Sequence, residues 1–155
     1  MRHPQDQIET IARAVLMAEG HLLLCRGVGS SLSYLPGGHV EFGENAIRAL
    51  ERELQEELAI ETRAGRFLGV VEHSFTQDGE AKHEINLLFE VTGSGLDAMR
   101  VPASNEPGRI AFEWLRIDGL EESDLEPASL RFLLAKWIFG RESNYESTVS
   151  SGEAP

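Results

Sequence analysis

Three glutamates, Glu53, Glu56 and Glu57, stand close together in the run Arg52-Glu53-Leu54-Gln55-Glu56-Glu57-Leu58. On a helix that advances about 100° per residue, their carboxylates fall within an arc of about 100° beside an apolar stripe. Like charges three and four residues apart repel on a helix surface. A solvated salt-bridge face would interleave Lys or Arg among them, yet Arg52 is the nearby cation, within reach of Glu56 one turn on. Clustered carboxylate oxygens suit a hard divalent ion such as Mg²⁺. An acidic solvent face would present the same residues, and the chain is acidic throughout: 26 Asp plus Glu against 14 Lys plus Arg, a net charge of −12.

The flanking residues separate these two readings. Gly38 is followed, after five residues, by Glu44, and Glu44, after seven more, by Arg52-Glu53-Leu54-Gln55-Glu56-Glu57-Leu58-Ala59-Ile60. This resembles the Nudix box: glycine, five residues, glutamate, seven residues, then Arg-Glu-aliphatic-any-Glu-Glu-any-Gly-aliphatic. Every specified position over residues 38–60 matches except one, where Ala59 stands for the glycine after the paired glutamates. That glycine normally helps to end the helix, so the exchange predicts a helix that runs on slightly. The segment 52–57 also resembles the MutT branch of the family.

The resemblance implies a Mg²⁺-dependent hydrolase, with Mn²⁺ as a substitute, that cleaves a pyrophosphate bond in a nucleoside diphosphate linked to another moiety. Glu53, Glu56, Glu57 and Gly37 are the expected metal-binding residues in and beside the box. Arg52 is expected to orient a carboxylate, and Glu44 to support the helix start or complete the metal shell. MutT-like enzymes carry a further metal-binding glutamate in a loop before a Trp-bearing strand. Glu106, ahead of Glu113-Trp114, is the candidate here, with Glu113 and Glu84 as competitors. The expected catalytic set is thus Glu53, Glu56, Glu57, Arg52 and Glu106. Arg26, Tyr34 and His39 are candidate substrate contacts: Arg26 for a phosphate, Tyr34 (with Phe75) for stacking on a base. The alternative is a non-catalytic Nudix-fold nucleotide-binding or regulatory domain, though all the box carboxylates are present.

Substrate signatures of the family are mostly missing. No Pro stands near Thr76, where ADP-ribose hydrolases tend to carry one, and no Tyr in that neighbourhood marks a dinucleoside polyphosphate hydrolase. Ser129 stands where a MutT-type enzyme would place an Asn at the start of the last helix. An isopentenyl diphosphate isomerase would share the fold but need a catalytic Cys, and the single cysteine, Cys25, lies upstream in an apolar strand.

The elements that must position these residues are legible as hydrophobic periods. Residues 8–17 and 21–26 read as strands joined by a turn at Ala18-Glu19-Gly20. A Gly/Ser loop over 27–33 follows, then a short strand over 39–42. Ala46, Ile47, Leu50, Leu54 and Leu58 line one face of a helix over 45–59, with Asn45 as N-cap. Strands over 66–76 and 82–92 flank Asp78-Gly79, a hairpin turn. After an irregular stretch over 93–109 come a strand over 110–117 and a closing helix over 127–139. The sum is about six strands in a mixed sheet with helices on both faces, an α/β/α sandwich of the Nudix type. Residues 1–140 make one domain, and the polar segment 141–155 reads as a disordered tail.

Composition narrows the partners. With 155 residues and 41% apolar content the chain can bury a core. Its acidity argues against an extended nucleic-acid surface and leaves a small nucleotide-type substrate, since a bound metal supplies positive charge locally. No stretch approaches the ~20 apolar residues that span a membrane, so a cytoplasmic protein is expected. A homodimer is compatible with all of this.

Overall fold

The computed structural model describes residues 7–140 and 144–149. Seven strands form one mixed sheet in the order β6-β2-β1-β5-β4-β7, with β3 paired to β1 off that path. β1 (Ile8–Ala18) turns through Glu19 and Gly20 into β2 (His21–Gly27), antiparallel, and both turn residues have positive φ. Along residues 8–16, β1 instead runs parallel to β5 (Glu80–Gly93). β4 (Thr62–Gln77) and β5 form the long hairpin, closed by Asp78 and Gly79, again both at positive φ. β6 (Ile110–Arg116) edges β2.

The strands are apolar on both faces because both are covered. Ala12, Ala14, Leu16, Leu23 and Phe89 pack under α1 (Ala46–Leu58) with its Leu50, Leu54 and Leu58. Val15, Leu22, Leu24, Leu68, Val71 and Leu88 pack on the other side with Leu130, Leu134 and Trp137 of α2 (Leu130–Gly140). This is the expected α/β/α sandwich, with one strand more than the six expected.

Four local expectations are corrected. The short strand is β3 (Gly37–His39), two residues earlier than the 39–42 reading, because Gly37, Gly38 and His39 pair with Arg13, Ala12 and Ile11. Ile47 is 41% exposed; the buried stripe of α1 rotates to Ala49, Leu50, Leu54, Glu57 and Leu58. The helix does not run on past Leu58: Ala59 takes the left-handed conformation at φ 51° and closes it with an N–H···O bond to Gln55. Alanine does the glycine's job there at the steric cost of its Cβ. Finally, within the segment read as a disordered tail, β7 (Asn144–Ser147) adds in parallel to β4. Gly69 admits it, since any Cβ there would strike Asn144 and Trp137. Tyr145 and Ser147 hydroxyls donate to the Glu72 carboxylate at 2.7 and 2.9 Å. The rest of that tail lies outside the described residues.

Candidate active site

Asn45 caps α1 as expected, its side chain accepting from the Arg48 N–H at 2.9 Å. The helix then aims its charged edge at the β3 backbone. A Cβ on Gly37 would run into the main chain of Ala12 and Arg13, and φ 143° there is a region L-residues avoid. A Cβ on Gly38 would run into the carboxylate of Glu53. The two glycines therefore let the β3 backbone lie directly on Glu53.

Arg52 organises the acids around it. It donates to Glu44 through Nε and Nη2 at 2.9 and 3.0 Å, to Glu53 at 2.9 Å and to Glu56 at 3.4 Å. Its Nη2 also reaches the His39 carbonyl at 3.1 Å. The hydrogen bonds from Arg52 hold the Glu44 carboxyl below its usual range, and those same partners, Glu44 first, raise the Arg52 pKa. Glu44 thus works as a partner of Arg52.

Glu57 differs from its neighbours. It is 5% exposed, and its Oε2 is buried with no hydrogen-bond partner among the described residues. Burial, then the Glu53 charge, pushes its carboxyl up to about 7; Glu106 adds to the rise, while Arg13 and Arg109 oppose it. Glu106 comes from the loop over 94–109, which docks on the end of α1 through the Asn105 N–H and the Glu57 carbonyl at 2.8 Å. Glu106 pairs with Arg109 at 2.9 Å. Arg52 thus joins Glu53 and Glu56, the charges of Glu53 and Glu106 reach Glu57, and Gly37 stands next to the glycine that lies on Glu53.

Among the described residues no three His, Cys, Asp or Glu side chains close a metal cage by themselves. The donors nevertheless fit a hard cation: an unpaired buried carboxylate oxygen is costly without a positive partner, and Glu53 stands beside it with Arg52 as its counter-ion among the described residues. Arg52 is committed to four acceptors, which leaves the Glu57 oxygen for something else.

The proposed substrate contacts divide. Tyr34 and Phe75 meet in the wall of a cleft of about 180 Å³ on the α2 side of the sheet, with Arg13, His73, Glu84, Asn86 and Pro127. His73 and Phe75 rings stack at 4.9 Å. Arg26 does not face this cleft: it is held by Glu113 at 2.8 Å and by the Ser30 and Ser31 carbonyls. That pairing also occupies Glu113, one competitor of Glu106. His39 is exposed and turns to Glu9 at 3.3 Å, away from the cleft walls. Burial pushes the Cys25 thiol up to about 12, so it is no nucleophile at neutral pH.

Arg13 and Asn86 were not expected. Arg13 Nε donates to Asn86 Oδ1 at 3.0 Å and its Nη1 to the Leu35 carbonyl at 3.1 Å. Arg13 thereby holds the segment entering Gly37 while lining the cleft, and its charge reaches both Glu57 and Tyr34. The signal was available: each is a polar residue set in an apolar strand, between Ala12 and Ala14 or between Ile85 and Leu87.

The sequence profile of the NUDIX domain matches residues 8–135. A MutT NUDIX hydrolase from Burkholderia pseudomallei is similar in structure with a TM-score of 0.61 and 30% identity, covering 73% of this chain and 86% of that one. A UDP-X diphosphatase aligns at TM-score 0.66 and 22% identity over 93% of this chain and 69% of its own. An ADP-ribose pyrophosphatase from Streptococcus suis aligns at 0.62 and 15% over 91% and 99%. The last two likenesses speak to the fold.

Proposed function

Because the chain belongs to the NUDIX family and is a hydrolase of it, we propose that it cleaves a pyrophosphate linkage in a small nucleotide-type substrate at the α1 carboxylates, a nucleoside triphosphate or nucleotide sugar being the class. The observation that carries this is the buried, unpartnered Oε2 of Glu57 beside Glu53, with Glu106 delivered to the same place.

Glu53, Glu56 and Glu57 would hold Mg²⁺, or Mn²⁺ in its stead, with Glu106 and the Gly37 backbone completing the set. Such an ion, when bound, neutralises phosphate charge and lowers the pKa of a bound water. Arg52 keeps Glu44 and Glu53 fixed, so that their carboxylates do not swing on binding. Gly38, lacking a Cβ, lets backbone and Glu53 share one small space. Glu106 sits on a loop and can adjust to the attacking water, orienting it or taking its proton. Tyr34 and Phe75 hold the flat end of the substrate in the cleft, and Arg13 ties that cleft to the strand leading into Gly37. The reading goes with a cytoplasmic location and is compatible with a homodimer. No helix among the described residues is long and apolar enough to cross a membrane.

The test is a panel of nucleoside triphosphates, nucleotide sugars, ADP-ribose and dinucleoside polyphosphates, assayed for phosphate release with and without Mg²⁺. Metal-dependent turnover of one class is expected, together with a melting temperature that rises with Mg²⁺ by mass action. Absence of turnover on every member, with no metal-dependent stabilisation, would overturn the assignment in favour of a non-catalytic domain.

A further inference from the structure

The family profile ends at residue 135, and the chain beyond it reaches the wall of the α2-side cleft. β7 lies along β4 over Gly69–Glu72, and the pairing continues one residue further, where the Thr148 N–H donates to the Glu72 carbonyl at 2.9 Å. This sets the Thr148 hydroxyl against β4. Its Oγ1 accepts from the Ser74 N–H at 3.0 Å and lies 3.1 Å from His73 Nδ1. His73 lines the cleft, and its ring stacks on that of Phe75, another lining residue, at 4.9 Å and 20°. Neither Thr148 nor His73 has a part in the carboxylate chemistry.

Burial holds the His73 imidazole below its usual range, so the ring is neutral at neutral pH, one nitrogen carrying the proton and the other accepting. The Thr148 hydroxyl proton then has two acceptors in reach, His73 Nδ1 at 3.1 Å and the Glu72 carbonyl at 3.4 Å, and the shorter contact goes to the ring. A strand histidine without such a partner turns about its side-chain torsions, and a ring that the ligand must order weakens binding. Resting on the reading that this cleft takes the flat end of the substrate, we propose that Thr148 is a positioning residue for that end: its hydroxyl locks the His73 ring, and the locked ring holds Phe75 as one face of a preformed wall. The strand that carries Thr148 is anchored without it. Tyr145 and Ser147 donate to Glu72 Oε2 at 2.7 and 2.9 Å, and the β4–β7 ladder ends at Ser147. The hydroxyl of Thr148 is thus separable from the strand that delivers it.

Thr148→Val removes the hydroxyl and keeps the shape, and Thr148→Ser restores it. On the panel member that the wild type turns over, Thr148→Val is expected to raise KM about three- to tenfold with kcat within about twofold, the range for one side chain ordered on binding. Thr148→Ser should return KM to within about twofold of the wild type. Nitrogen NMR of the metal-free protein reads the ring directly. His73 Nδ1 should be unprotonated and Nε2 protonated in the wild type and in Thr148→Ser, with a mixture of the two tautomers in Thr148→Val. A protonated Nδ1 in the wild type, or ring nitrogens that do not change in Thr148→Val, would overturn the lock, and the wild-type spectrum needs no variant to fold. Turnover with KM unmoved by Thr148→Val, or a raised KM that Thr148→Ser fails to restore, would overturn the positioning role and leave the hydrolase reading intact. No turnover by the wild type would bring down that reading and the proposal with it.

Discussion

The two faces of the sheet carry their charge in opposite ways. On the α1 face, acids crowd a helix edge, and one of them, Glu57, is buried without a partner for Oε2. On the α2 face, charge is sparse and each charged group is tied: Arg13 to Asn86 and Leu35, Glu84 to Asn86, Glu126 to Arg131. The first arrangement stores electrostatic tension that a cation would relieve. The second is relaxed and shaped, as suits recognition of a nearly neutral ring. On the proposed reading, reaction and recognition fall on separate sides, and Arg13 lines the cleft while its charge reaches Glu57.

The sharpest way to break this division is Glu57→Gln. It should lower kcat by roughly a hundredfold or more, while nucleoside binding in the cleft stays within about threefold of the wild type. A comparable loss in both assays would mean that the faces are not independent.

The tension at Glu57 also has a pH signature. Its carboxyl is raised from 4.5 to about 7 in the fold, so the folded state binds more protons than the unfolded state between those values. Stability associated with this group is full below about pH 4.5 and is lost as pH rises through about 7. In metal-free buffer the wild type should therefore lose on the order of 2–3 kcal/mol relative to Glu57→Gln between pH 4 and pH 8. Parallel denaturation curves at all pH values would show that Glu57 is not strained. Added Mg²⁺ should restore much of the wild-type loss.

On the other face, Tyr34→Ala should raise KM about tenfold with little change in kcat, because stacking is made equally in the ground and transition states. A change confined to kcat would move Tyr34 to the reacting end. The smallest expected effect concerns neither ligand. Ala59→Gly should raise stability by about 1 kcal/mol by relieving the left-handed alanine, seen as about 2–4 °C in Tm, with kinetics unchanged.

The α1 carboxylate cluster was legible because it is local. Residues 38–60 carry the glycines, the N-cap, Arg52 and the three glutamates in a single run whose spacing has a direct physical reading. Glu106 was approachable only through its place before Trp114, and what fixes it, a backbone bond from Asn105 to Glu57, is a long-range contact. The cleft was legible only in fragments. Tyr34 and Phe75 could be named as ring-bearing candidates, but their meeting depends on the bridge of Tyr34 to Cys25 and on the β4–β5 register. Arg26 shows the converse: a basic residue at a strand end before a glycine loop reads as free, and the β2–β6 pairing sets Glu113 beside it. Composition misled at residues 144–147, where the Tyr145 and Ser147 hydroxyls donate to the Glu72 carboxylate.

That last strand has a consequence for the solution behaviour of the protein. β4 is long, and over Gly69–Glu72 its outer edge is paired only by β7. A chain ended at residue 140 would retain all the carboxylates and every residue that lines the cleft, yet it would bare unsatisfied N–H and C=O groups along a half-apolar strand, a template for edge-to-edge association. Residues 144–147 thus act as a selvedge on the sheet: removing them should leave the turnover of each saturated molecule intact while shortening the time for which a concentrated sample stays clear.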